Sequence, residues 1–370
     1  MSKIIRLVDR TRTVADWKCP RSRYLGYEYL GRGIVKSGTT LQLFTGIVVH
    51  DAMAAIATFT VNGKPVPIDD IANAAFNQIK DNILESCGGV DLGDQKEFAW
   101  EQGTLTEGMI RGFYRHMWPK LMDMYPTIVA IEQEMEFNLN DTTVFMAKPD
   151  LIVEDREGNL IYLEYKTTSS KKENWVNSWD TAVQLHSSIR ATEQTLGIAP
   201  TAVQIIGLYK GYESYGKQGS PFCYAYKKNG NPPFSQDQVQ YEFKAGFKRY
   251  PTWELPGGVK AWIEGMPDNV LADQFPLTAP IFVNDDLVDA FFRQRSAREL
   301  EIAKSVSTMS SENELDILDT TFPQHFDQCV PSFGWSCPFK KICHGEVKNP
   351  LEEGYELRTP HHAREVDSLE

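Results

Sequence analysis

The chain has no run of roughly eighteen consecutive apolar residues, the length a membrane-spanning helix needs, so no membrane segment is expected. Its first residues, MSKIIRLVDRTRTVADWK, scatter charges where a secretory leader would carry an apolar core; no signal peptide is read there, and a cytoplasmic protein is expected. Internal repeats and low-complexity tracts are absent. No Gly/Ser/Pro linker divides the chain, although 370 residues suffice for one large core or two domains. Positive charge is in deficit: 38 Lys and Arg face 50 Asp and Glu, for a net charge of −12. That balance disfavours a general nucleic-acid binder, because phosphate neutralisation favours basic surfaces. A local basic groove can still coexist with it, and its candidate pieces are Lys166, Lys171 and Lys172, then residues 210–228, then 244–249. Cysteine is scarce, six in all, and in a chain read as cytosolic this points to metal or catalysis more than to disulfides.

What is present falls into an order. Helical patterns cover residues 14–31, 42–61, 68–88 and 96–125. The period then drops to two. Residues 128–139 (IVAIEQEMEFNL), 145–155 (FMAKPDLIVED) and 159–168 (NLIYLEYKTT) read as strands, the last two joined by a turn at Arg156, Glu157 and Gly158. A helix over 175–196, a strand over 202–211 and an amphipathic helix over 286–306 follow. The reading is an α/β fold with a mixed sheet: a helical part at 1–125, a core at 126–210, an insertion and helical region at 211–320, and a Cys-rich tail at 321–370.

The chemistry concentrates in the core. Asp150 follows Pro149 on one strand; Glu164 and Lys166 sit two apart on the next and share a face. The short turn brings Asp150 across from them, giving two carboxylates and one ammonium in a small volume. That set suits phosphodiester hydrolysis. Asp150, Glu164 and a backbone carbonyl from Tyr165 are hard oxygen ligands for Mg²⁺ or Mn²⁺. The metal lowers the pKa of a bound water, and Lys166 orients that water or stabilises the pentavalent charge. An ExK triplet alone occurs by chance in many chains. Here the flanking Leu151, Ile152, Val153, Ile161 and Leu163 are apolar, which argues against a solvent-facing hairpin.

The run AKPDLIVEDREGNLIYLEYKTT resembles the nuclease core of the RecB/AddB-like PD-(D/E)xK superfamily, and CPRSRYLGY (19–27) and GIVVH (46–50) resemble that family's Cys-Pro-Arg helix and GxxxH motif. The resemblance covers about residues 15–190 and the tail. It implies a restriction-endonuclease-like core with a mixed central sheet flanked by helices, and Asp150, Glu164 and Lys166 as the catalytic set. It also implies His50 as a metal or phosphate-side residue, an acidic residue at Glu132 or Glu134 on the preceding strand, and Gln184 on the helix that touches nucleic acid. Two positions depart from the pattern. Ala147 stands where the family often has Gly, and Ser188 where a Tyr follows the Gln.

Cys329, Cys337 and Cys343 fall within fifteen residues of one another, too close for ordinary buried thiols, and call for a metal with a fourth ligand. In the resembling nucleases a Cys at the position of Cys19 joins the C-terminal trio around a 4Fe–4S cluster, which would clasp the tail to the N-terminal helix. Gly334 stands where their commonest spacing has a cysteine. Zinc is the rival occupant, with His344 as an alternative ligand. Cys87 and Cys223 read as buried thiols.

Three functions fit to different degrees. The first is a metal-dependent DNA exonuclease acting on single strands or ends, with Trp17, Tyr24 or Tyr27 available to stack bases or to pack in the core. The second is a partner-dependent DNA-binding subunit of a recombination or replication complex. No Walker A motif occurs, so a helicase or recombinase partner would be a separate chain. The third, an iron–sulfur electron carrier, lacks any sign of a second redox centre.

Overall fold

Apolar residues at helical spacing build the first third of the molecule, and a change to period two builds the sheet. The computed structural model describes residues 6–37, 41–86, 93–168, 179, 183–211, 220–230, 236–241, 244–330 and 336–359. Strand β1 (Arg6–Asp9) leads into helices α1 (Arg10–Lys18) and α2 (Pro20–Arg23), strand β2 (Ile34–Lys36), and helices α3 (Leu41–Val61), α4 (Ile68–Ser86), α5 (Gly93–Gly112) and α6 (Trp118–Met124). Then come β3 (Thr127–Ile131), β4 (Met135–Asn140), β5 (Thr143–Ala147), β6 (Leu151–Glu154), β7 (Leu160–Thr168), α7 (Val183–Leu196) and β8 (Ala202–Tyr209). The remainder holds β9 (Tyr224–Lys227), β10 (Lys248–Pro251), α8 (Gly258–Glu264), α9 (Asp268–Gln274) and β11 (Ile281–Phe282), then α10 (Asp285–Thr308), α11 (Glu314–Thr320), α12 (Lys340–Cys343) and β12 (Tyr355–Leu357).

The central sheet has the order β11-β8-β7-β6-β3 and is mixed: β7 and β8 run parallel, and the other neighbours antiparallel. Both faces are covered, which is why its strands are nearly continuous apolar runs. Leu151, Val153, Ile161, Leu163 and Tyr165 join the core built by α3, α4 and α5. The alternate residues Ile152, Leu160 and Tyr162 face a second core, with Val8 of β1, Phe145 of β5, and Leu185 and Ile189 of α7. Strands β1, β5 and β4 form a separate small sheet, with β1 parallel to β5. The expected α/β architecture with a mixed central sheet is the one observed.

Three elements differ from their sequence patterns. The helix read over 14–31 is interrupted at Cys19, whose backbone is extended (φ −161°), and restarts at Pro20, a residue suited to a first helical position. The strand read over 128–139 divides at Glu132 into β3 and β4, which lie in different sheets. The strand read over 145–155 divides at Lys148 and Pro149 into β5 and β6, also in different sheets, since proline cannot donate to a ladder. Alternation continues through both breaks because the flanking strands are each half of an alternating surface. The two breaks touch: the Glu132 N–H donates to the Asp150 carbonyl at 3.1 Å.

By length and composition alone Leu43–Val61 of α3 could cross a membrane. Here it serves as a core helix, with Val48, Val49, Ala52, Met53, Ile56 and Ala57 buried against the rest. The region 211–320, opaque in sequence, supplies the β9–β10 hairpin and helices α8 and α9, whose Val259, Trp262 and Leu271 extend the same core. Late and early segments of the described chain meet. β12 pairs antiparallel with β2, and Arg358 donates to the Gly26 carbonyl at 2.6 Å. Beneath that pairing a buried ion network ties α1 and α2 to α10: Arg295 reaches Asp16 at 3.0 Å and Glu299 at 2.8 Å, and Arg23 reaches Glu28 at 2.8 Å and Glu299 at 3.3 Å.

Candidate active site

The break at Pro149 ends β5 and starts β6 one residue after Asp150, which places that carboxylate at the mouth of the β6–β7 hairpin. Leu151 pairs with Leu163, so Asp150 lies beside Glu164 and Tyr165, and its Oδ2 accepts the Tyr165 N–H at 2.7 Å. Glu164 is almost fully buried, and both the Tyr162 hydroxyl and the Lys166 ammonium donate to it. Tyr162, Glu164 and Lys166 alternate along β7 and so share a face. His50 comes from the middle of α3, next to the buried Val49 and Met53. Its Nδ1 lies 3.1 Å from Asp150 Oδ1 and 3.6 Å from Glu132 Oε1. Lys148 closes the arrangement, its Nζ 2.7 Å from Glu132 Oε2.

Glu132 occupies the left-handed backbone region (φ 46°), a conformation that costs a non-glycine residue about 1–3 kcal/mol. That cost is offset by the position it gives the side chain. His50, Glu132 and Asp150 each present a ligand atom, and these atoms lie within 4.8 Å of one another. An imidazole and two carboxylates form a donor set that fits a hard divalent cation such as Mg²⁺ or Mn²⁺.

The electrostatics fit a site prepared for positive charge. Burial penalises a charged His50, but the Asp150 carboxylate and the Glu132 hydrogen bond outweigh it and push the imidazolium up to about 10. Asp150 is itself buried, yet His50, Lys166 and the Tyr165 N–H hold its carboxyl below the usual range. Glu164 goes the other way, raised to about 7 by burial and by the neighbouring Asp150, with Lys166 opposing. Two neighbouring carboxylates thus have their proton affinities driven apart, a pattern concentrated at functional sites. Metal binding must displace the His50 proton. Cation affinity is therefore expected to rise from pH 6 to pH 8, with about one to two protons released per metal near neutrality. Calorimetric titration with Mn²⁺ in buffers of different ionisation heat measures this; affinity independent of pH would contradict it.

Of the residues singled out in the sequence, Asp150, Glu164, Lys166, His50 and Tyr165 converge here. Gln184 is the second residue of α7, but its side chain lies outside the described residues, as do Lys171, Lys172 and Cys87. Glu132, named beside Glu134 as an alternative, is the one that reaches the cluster. Sequence reasoning missed Lys148 and Tyr162. Both had a signal: Lys148 directly precedes Pro149–Asp150, and Tyr162 has the parity of Glu164. Tyr24 is buried against Phe322 and packs internally, Trp17 meets Phe291 edge-on at 5.6 Å but stays exposed, and Tyr27 lies beneath the Arg358 guanidinium at 4.3 Å. Arg249, counted toward a basic groove, lies 4.1 Å over the Tyr224 ring.

Cys19 and the three tail cysteines are all free thiols. Cys19 is buried between α1 and α2, and its sulfur receives the His325 N–H at 3.5 Å. The Cys337 N–H donates to the Cys329 carbonyl at 3.0 Å, and Cys343 closes α12. Burial and then the neighbouring thiols, Cys19 and Cys329 among them, raise Cys337; Cys343 is pushed up to about 11, burial first, with Arg21 opposing. None of the four is in a disulfide.

A mixed sheet with an Asp, a Glu-x-Lys pair on one strand and a His, Glu and Asp that can hold a cation defines a metal-dependent phosphodiesterase type of site. A sequence profile of the PD-(D/E)XK nuclease superfamily matches residues 15–250, and the chain belongs to that superfamily. No curated protein matches it.

Proposed function

We propose that the protein is a Mg²⁺- or Mn²⁺-dependent DNA exonuclease acting on single strands or DNA ends, in the cytoplasm, where thiols stay reduced. The observation that supports it is the convergence of His50, Glu132 and Asp150 beside the Glu164–Lys166 pair in a chain of this superfamily. His50, Glu132 and Asp150 would hold the cation, with Glu164 and the Tyr165 carbonyl beside it. The bound cation supplies Lewis-acid polarisation of the phosphate and a water of lowered pKa. The chain's own groups do the rest. Tyr162 fixes the Glu164 carboxylate by hydrogen bonding to it. Lys166, partly open to solvent, directs its ammonium to the same carboxylate and to the space where the attacking oxygen and the phosphoryl charge meet. Asp150, locked by the Tyr165 N–H, orients His50. Degradation of end-labelled single-stranded DNA with Mg²⁺ or Mn²⁺, read on a product ladder, tests the reading. Products shortened one nucleotide at a time from an end support it, and internal cuts alone contradict the exonuclease assignment.

The same reading extends to the cysteines. Cys19, Cys329, Cys337 and Cys343 would hold a 4Fe–4S cluster that fastens the tail to α1 and α2; free thiols on the N-terminal helices and in the tail are the donor type such a cluster takes, and the His325 N–H on the Cys19 sulfur brings the tail to that helix. Binding only to the folded state, it stabilises that state. Anaerobically purified protein is expected to contain about four iron atoms with broad visible absorbance. Cys337→Ser is expected to lose both and to melt at lower temperature. Zinc in place of iron would overturn the cluster and leave the clasp.

A further inference from the structure

Arg10 is the first residue of α1 and has no part in the ion network that binds its neighbours. Arg6 pairs with Glu28 at 2.9 Å, and Asp9 caps α1 by accepting the Arg12 N–H at 2.8 Å. Among the described residues the Arg10 guanidinium makes no hydrogen bond or ion pair, although it is half-buried. Its place in the fold explains what it faces. β1 runs parallel to β5 with Asp9 opposite Met146, so Arg10 comes level with the end of β5, three residues before Asp150. Val8 packs in the same core as Ile152 and Tyr162, the face of the central sheet on which Tyr162, Glu164 and Lys166 stand. Burial pulls the Arg10 guanidinium below its ordinary pKa, and the Glu164, Asp150 and Asp9 carboxylates oppose that shift.

A half-buried guanidinium with no hydrogen bond or ion pair among the described residues, on the sheet face that carries the site's carboxylates, is an uncommon expense for a fold. It is resolved when an anion enters. We infer that Arg10 binds a non-bridging oxygen of the scissile phosphate, across the site from Lys166. Its planar fork suits that contact better than an ammonium does. The inference rests on the nuclease reading given above. It makes Arg10 a contact to the charge that develops on the phosphoryl group, and it joins the N-terminal strand to the chemistry.

The test is steady-state cleavage of a short single-stranded oligonucleotide with Mn²⁺ by the full-length wild type, Arg10→Ala and Arg10→Lys. Mn²⁺ affinity and thermal unfolding are measured on each. Arg10→Ala is expected to lower kcat by about 100- to 1000-fold, the loss typical of one transition-state donor, with KM changed far less. Metal affinity and melting temperature should stay near the wild type. Arg10→Lys should recover only part of the rate, and added ethylguanidinium should partly rescue Arg10→Ala. A structural role would instead lower the melting temperature and give no rescue, and that result overturns the inference. Arg10→Ala within about threefold of an active wild type also overturns it while leaving the nuclease reading intact. A wild type inert on every substrate removes both, and is told apart because it shows before any variant is compared.

Discussion

Lys166→Ala is expected to lower the rate of DNA cleavage by about 100- to 1000-fold, the loss typical of one donor aimed at developing charge. Two effects combine, both set by the bond from Lys166 to Glu164. The ammonium stands at the open side of the pair and is lost as a stabiliser of phosphoryl charge. It also opposes the upward drift of the buried Glu164 carboxyl, which stands at about 7 with Lys166 in place. Without it, that value moves higher, and Glu164 is protonated over more of the neutral range. The rising limb of the pH–rate profile should therefore shift to higher pH in the variant. The residual activity should also recover in part toward pH 9, when Glu164 is again ionised. A profile of unchanged position would mean that Glu164 does not titrate in the active range. A rate within a few-fold of the wild type would remove Lys166 from the chemistry.

The second large effect lies far from the site. Asp16 accepts hydrogen bonds from Arg295 at 3.0 Å and from Arg298 at 2.9 Å, and both Asp16 and Arg295 are buried. Asp16→Ala leaves Arg295 with Glu299 alone, and removing one partner of a buried ion pair costs about 3–5 kcal/mol. The pH dependence follows from the carboxyl's direction of shift. Burial alone would raise Asp16, but Arg298 and Arg295 hold it below its ordinary 3.8. Its contribution is therefore complete above that value and is lost as pH falls through the folded pKa. Denaturant unfolding of wild type and variant should differ by the full amount at pH 7, and the gap should narrow only in acid, once the pH falls below 3.8. A difference under about 1 kcal/mol at pH 7 would mean that α1 and α10 are held by apolar packing instead. Because α1 ends at Cys19, the variant should also hold the tail less firmly, which iron content and visible absorbance would register.

The Asp150, Glu164 and Lys166 set proposed as catalytic was legible because β7 is a regular strand. Period two put Glu164 and Lys166 on one face, and the turn at Gly158, with φ 85°, set Asp150 opposite them. Tyr162 was legible by the same parity but looked like an ordinary core aromatic. The strand breaks were hidden, since an alternating pattern does not reveal a change of sheet. Glu132 reaches the metal-competent cluster only through its left-handed backbone, which no residue type there announces. Arg10 was illegible for a related reason: its relation to Asp150 depends on the parallel pairing of β1 with β5, more than 130 residues away in the chain. The helices of the first third followed their spacing closely, α3 from Leu41 to Val61 and α4 from Ile68 to Ser86. The exception was Cys19, where an extended residue before a proline divides what the pattern joins. The ends of the chain gave no sign that β2 and β12 would pair.

One measurement bears most directly on the account. Anaerobically purified wild type and Asp150→Asn are incubated with end-labelled linear single-stranded DNA, with and without Mg²⁺ or Mn²⁺. Cleavage by the wild type only when the cation is present, and none by a folded Asp150→Asn, is the predicted result. Cleavage that persists in Asp150→Asn, or a wild type inert with every cation, would contradict the assignment of the His50, Glu132 and Asp150 cluster as the centre of the chemistry.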